Sequence, residues 1–189
     1  LPGLLYPLII LTLLALCMAG LEATFPLWTE RQLQWGAREV GIFFFYIGLI
    51  MVLVQGGLVR PLAKRYGEAK LVIAGALCMS LGFASVLLVF APPLAFAGGT
   101  LIAIGYGLAN PTLSAMISKN APDDIQGTAM GASQSTQALC RILGPLAFGA
   151  AFSGIGRDAP YLGAGIVMFI AFLVGFKALK YNRQNPPPD

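Results

Sequence analysis

Long apolar runs alternate with short charged clusters along the whole chain. The runs cover roughly residues 4–27, 40–59, 71–90, 94–118, 127–152 and 161–179. Each is about 20 residues or more, enough for a helix rising about 1.5 Å per residue to cross a hydrocarbon layer about 30 Å thick. Lipid offers the backbone no hydrogen-bond partner, so a segment that crosses it bonds within itself, and helix is the expected form. The strict two-residue alternation of a membrane barrel is absent. The pattern predicts an all-α integral membrane protein, a bundle of six transmembrane helices.

The punctuation between the runs fits that reading. A charged, aromatic loop, Trp28–Glu39, follows the first run. Ala91-Pro92-Pro93 breaks the third from the fourth, because neither proline can donate a helical hydrogen bond. Gly154–Pro160 separates the fifth from the sixth, and the tail Lys180–Asp189, with three consecutive prolines, is expected to be solvated and disordered.

Charge sets the orientation. Arg60, Lys64, Arg65, Lys70, Lys119, Lys177, Lys180 and Arg183 fall on one side of the predicted bundle, and Arg31, Arg38 and Arg157 on the other. Basic loops stay in the cytoplasm, so both termini are expected there and the lipid bilayer is the first partner, with a bacterial inner membrane the expected site. The first residue is leucine, the expectation for a processed chain or a piece of a longer polypeptide. The first run is too long for a signal peptide and lacks a basic leader.

Composition narrows the function. Of 189 residues, 57% are hydrophobic and 11% charged, against about a quarter charged in soluble domains. The net charge of +4 comes from residues that flank apolar runs and line no polar face, which excludes nucleic acid as a partner. Cys17, Cys78 and Cys140 lie in separate apolar runs and form no disulfide or thiolate framework. Histidine is absent, which removes histidine-ligated haem or zinc and histidine-based catalysis. No phosphate loop, nucleophile elbow or ligand cluster is present, so neither an enzyme nor a metal or other cofactor is expected.

Two charges lie at membrane depth. Glu22 in the first run and Arg141 in the fifth are expected at similar depth, about 21–26 Å from the cytoplasmic boundary. A buried charge normally faces a partner or a water-filled cavity. The two could form an ion pair or line one cavity; alternatively Glu22 reaches the outer surface and Arg141 pairs with backbone carbonyls. Gln134, Gln137 and Arg141 recur at helical spacing and form a polar stripe that looks inward, to a cavity or to another helix. Gln55 in the second run and Tyr106 and Asn110 in the fourth are weaker candidates; the last two sit beside Pro111, where either a gate or close packing explains them. Gly127, Gly131, Gly144, Pro145 and Gly149 on the fifth run form a small-residue pattern suited to a helix-packing seam.

With these positions laid out, the chain resembles the C-terminal six-helix half of a major facilitator superfamily transporter, and is most similar to the tetracycline and multidrug drug:proton antiporters. The stretch Gly57-Leu-Val-Arg-Pro-Leu-Ala-Lys64-Arg65-Tyr-Gly67-Glu-Ala-Lys70 resembles that family's cytoplasmic loop Gly-x-x-x-Asp-Arg-x-Gly-Arg-Lys. Arg65, Gly67 and Lys70 match, whereas Lys64 stands in place of the aspartate. Pro122 with Gly127, and Gly144-Pro145-x-x-x-Gly149, resemble elements around the family's eleventh helix. The resemblance implies proton-coupled efflux of a small organic molecule by alternating access. It implies a second six-helix bundle, as an N-terminal half, a separate chain or a second copy. It also implies that the first, second, fourth and fifth helices face the cavity, the helices that carry Glu22, Gln55, Tyr106, Asn110, Gln134, Gln137 and Arg141. A non-transporting six-helix scaffold or assembly subunit is the alternative reading.

Overall fold

A computed structural model describes residues 2–184. They form six long helices. Helix α1 spans Pro2–Leu33. Helix α2 spans Ala37–Tyr66 with a π-helical turn at Val54–Leu58, and α3 spans Glu68–Leu88, its last turn 3₁₀. Then come α4, Pro92–Asn120, α5, Gln126–Gly154, and α6, Ala159–Gln184. Five of the six are long and apolar enough to cross a membrane on length and composition within the described residues. Helix α5 is 29 residues long and completes the set, its polar stripe lowering its mean hydropathy. The fold is six transmembrane helices, all-α.

The helix ends differ from the predicted ones for local reasons. Helix α1 continues through Trp28–Leu33, because Trp28 and Thr29 are buried against the bundle. It stops where Gln34 adopts φ 55°, and the Trp35 N–H reaches back to the Thr29 carbonyl at 3.3 Å. Glu39 then accepts from the Gly36 N–H at 2.9 Å, which satisfies one orphan donor at the start of α2. Pro92 and Pro93 open α4 and do not close α3; at the first positions of a helix their missing N–H costs nothing. Helix α6 continues past 179 to Gln184, so the start of the predicted disordered tail is helical backbone, and 185–189 lie outside the described residues.

The second helix also runs past its predicted end. Val59 donates to the Val54 carbonyl five residues back, the hydrogen bond of a π-turn. Beyond this shift the helical segment Val59–Tyr66 carries Pro61, whose missing N–H falls just after the π-turn, so the basic residues Arg60, Lys64 and Arg65 ride on helix and not on a loop. Gly67, at φ 88° and ψ 151°, separates α2 from α3 in a conformation that favours glycine.

Two helix pairs build the core. Helices α3 and α4 run antiparallel with glycines facing each other. A Cβ on Gly75 would lie 2.6 Å from the Gly105 carbonyl oxygen, and one on Gly82 would lie 2.9 Å from that of Gly98. Helices α1 and α5 run parallel in a fixed register. Cys140 Sγ sits 3.4 Å from the Thr12 carbonyl oxygen, a Cβ on Gly144 would lie 2.9 Å from that of Leu16, and Phe148 covers Gly20. All three contacts keep the same offset of 128 positions. Of the glycines predicted on an α5 seam, Gly144 is therefore in close contact with α1. Gly127, Gly131 and Gly149 are not on a seam of this bundle: nothing lies within 4 Å of a Cβ on any of them, because they point away from the α1 face.

The end of the bundle opposite the basic residues is closed by aromatic rings. Phe25 stacks on Phe43 at 4.2 Å between centroids, with Trp28, Trp35 and Phe96 around them. Trp28 Nε1 donates to Asp158 at 2.7 Å, Thr24 and Tyr161 share a hydrogen bond of 3.0 Å, and Gln32 donates to the Val89 carbonyl at 2.7 Å. The outer surface keeps many large apolar side chains exposed, among them Phe45, Val52, Leu146 and Ile166, as a lipid-facing surface requires.

Candidate functional site

A cleft of about 290 Å³ opens between α1, α4 and α5. Helix α1 contributes Ala15, Met18, Ala19 and Glu22, which recur at helical spacing and so share one face. Helix α4 contributes Tyr106, and α5 contributes Gln137 and Arg141, one turn apart. Small residues at 15 and 19 keep the α1 wall low, which leaves room for the longer polar side chains.

Glu22 and Arg141 thus belong to one cleft, and their charges act on each other and on Tyr106. Their side chains do not close to an ion pair: the ion pairs among the described residues are Lys119–Glu68 and Arg157–Asp158. The register of α1 on α5 gives the reason. An offset of 128 sets Arg141 level with Leu13, so Glu22 lies about 13 Å farther along the bundle. The similar depth expected from the helix starts is corrected by that packing. Tyr106 bridges the interval from the third wall. Gln137 spends its amide on one long bond of 3.5 Å to the Ser133 carbonyl, which leaves its own carbonyl oxygen for the cleft. Pro145 supplies no N–H to the Arg141 carbonyl, so the backbone at the arginine is loosened as well.

The remaining candidates lie elsewhere. Gln55 is exposed in the π-turn of α2, and Gln134 is exposed on α5; neither lines the cleft. Asn110 sits one turn beyond Tyr106, with its Oδ1 buried and without a hydrogen-bond partner. In the loop motif, Gly57 and Lys70 are exposed, and the Arg65 guanidinium lies over the Tyr66 ring at 5.3 Å. Glu68, which the motif does not contain, pairs with Lys119 and ties the α2–α3 junction to the end of α4.

Sequence reasoning missed Ala15, Met18 and Ala19, although stepping back from Glu22 by three, four and seven residues reaches all of them. It also missed Ser133, whose buried hydroxyl has no partner, and the Trp28–Asp158 bond, for which no local signal exists. No group of three or more potential metal ligands occurs among the described residues.

Charged and hydrogen-bonding side chains thus line a cleft in a six-helix membrane bundle. Residues 8–189 match the family model described as the major facilitator superfamily, and the chain belongs to that superfamily. It is 34% identical over 160 residues to the class C tetracycline resistance protein of Escherichia coli, covering 84% of this chain and 39% of that protein. It is 33% identical over 133 residues to the class G tetracycline resistance protein of Vibrio anguillarum, covering 69% of this chain and 33% of that protein. Among solved structures, the human organic anion transporter MFSD10 (TETRAN) matches with a TM-score of 0.86 at 25% identity, over 92% of this chain and 41% of that one. The chain therefore spans from a third to about two fifths of the length of these relatives, and its fold is one half of the superfamily's. The superfamily is one of transporters and not of enzymes.

Proposed function

We propose that this chain is the C-terminal half of a secondary active transporter that exports a small organic molecule in exchange for protons by alternating access, working against a second six-helix bundle. The observation that carries the reading is the cleft, where Glu22, Tyr106, Gln137 and Arg141 converge from three helices. A carboxylate that faces an open cleft can exchange a proton as the cleft changes its access, and an arginine in the same cleft gives a solute a fixed charge to compete for. The relatives support a small organic solute: two are tetracycline resistance proteins, and a third is named an organic anion transporter. The excess of Arg60, Lys64, Arg65, Lys70 and Lys119 at one end supports a cytoplasmic placement of that end, and the two bacterial relatives support a bacterial inner membrane.

The test uses the full-length transporter with both halves. Inside-out vesicles under an imposed proton gradient are assayed for uptake of tetracycline and of a fluorescent organic anion. At least one probe is expected to follow the gradient, and Glu22→Gln is expected to abolish that uptake. Gradient-driven uptake unchanged in Glu22→Gln removes this glutamate from the mechanism.

A further inference from the structure

Two buried polar atoms beside the cleft lack a protein partner, and they occupy matching places. Asn110 follows Tyr106 by one turn of α4, and Ser133 precedes Gln137 by one turn of α5. Helix α4 runs toward the basic end and α5 starts from it, so both steps lead from the cleft in the same direction. Ser133 is 1% exposed. Its Oγ and the Oδ1 of Asn110 are both sealed from the surface without a hydrogen bond, a state that folded proteins almost always relieve.

The surrounding protein does not relieve it. Hydroxyls on α1, α4 and α5 bond the carbonyl four residues back, as Thr12, Thr24, Thr112, Thr136 and Ser153 do. The Ser133 hydroxyl departs from that habit. Ser114, one turn beyond Asn110, donates to the Asn110 backbone carbonyl at 3.0 Å and not to its side chain. Pro111 withholds its N–H from the Gly107 carbonyl, which weakens the support of an acceptor in the same turn. Water suits these needs, since it can donate to an amide oxygen and take either role at a hydroxyl. An apolar ligand would leave both atoms bare, and one amide oxygen with one hydroxyl is too sparse a set for a hard cation.

We infer that Asn110 and Ser133 hold internal water that extends the hydration of the cleft one turn toward the basic end along α4 and α5. The water site stands on the packing alone. Its use rests on the transport reading: it gives the cleft a proton-conducting branch toward the cytoplasm.

X-ray radiolytic footprinting of the full-length transporter in detergent micelles tests the site. Bound water yields hydroxyl radicals in place, and Met130, one turn from Ser133 and packed against the core, is the reporter. Met130 is expected to be oxidised in the native protein and less oxidised in both Ser133→Ala and Asn110→Leu, with Met51 on α2 unchanged. Absent oxidation of Met130 in the native protein, or oxidation unchanged in Ser133→Ala, overturns the site. The thermal midpoint of Ser133→Ala supplies a second sign. Losing a water-bonded hydroxyl lowers the midpoint, whereas losing a dry, unpartnered one raises it. A rise overturns the site even where Asn110→Leu fails to fold. Neither readout uses solute uptake, so failure here leaves the transport reading intact, and failure of uptake leaves the water site intact.

Discussion

Glu22 and Arg141 face the same cleft from α1 and α5 without closing to an ion pair. Removing one partner of a buried pair strands the other charge and costs about 3–5 kcal/mol. Here each charge keeps its own access to the cleft. Glu22→Gln and Arg141→Gln are each expected to cost less than about 1 kcal/mol in stability, with solute uptake impaired. Thermal unfolding in detergent, read beside uptake, checks the separation; a loss of several kcal/mol in either variant would reveal a structural pair.

The close approach of α1 and α5 makes a second contrast. A Cβ at Gly144 would meet the Leu16 carbonyl oxygen, Ala19 and Gly20 at 2.9 Å, two of them backbone atoms that cannot rotate away. Gly144→Val is expected to destabilise by about 1–3 kcal/mol or more through overpacking. Gly149→Ala, with nothing within 4 Å, is expected to be neutral or to stabilise by up to about 1 kcal/mol through helix propensity. Midpoints of the two purified variants decide it.

At the aromatic end, Trp28 Nε1 holds Asp158 at 2.7 Å, and Asp158 also lies 3.8 Å from Arg157. Trp28→Phe removes the indole N–H and is expected to cost about 1.5–3 kcal/mol, the worth of a hydrogen bond to a charged group, with some further loss of packing. Asp158→Asn keeps an acceptor oxygen and is expected to cost less. Denaturant or thermal unfolding of both variants gives the order.

Two residues at the basic end differ in what they hold. Gly67 carries φ 88°, so Gly67→Ala is expected to cost about 1–2 kcal/mol and to expose the α2–α3 junction to limited proteolysis. Lys119 pairs with Glu68 at the surface, its side chain 65% exposed, and Lys119→Ala is expected to cost less than about 1 kcal/mol, with the difference vanishing at high salt.

Much of this was legible in the sequence, and the boundary of what was legible has a physical cause. Hydrophobic run length located all six helices, because the thickness of a bilayer constrains length more tightly than any local propensity. Glu22 stood out as a charge inside an apolar run, and Tyr106 as a polar residue beside Pro111. Helical spacing grouped Gln137 with Arg141, since periodicity fixes where a residue points on its own helix. It does not fix how that helix is rotated or slid against its neighbours. Gln134 therefore shares the azimuth of Arg141 yet lies exposed outside the cleft's lining, and the depth match of Glu22 with Arg141 failed once Gly144 set the register against Leu16. The extension of α2 through Pro61 was hidden for a related reason: the π-turn that accommodates the proline leaves no compositional mark.

That π-turn has a consequence for every residue after it. Each residue turns an α-helix by about 100°, so one extra residue taken up between Val54 and Leu58 resets the azimuth of all that follows. Shortening the segment by one residue would restore a regular ladder and swing Arg60, Lys64 and Arg65 about a quarter-turn around the axis. The compass bearing of the basic end is thus written in five residues that carry no charge themselves.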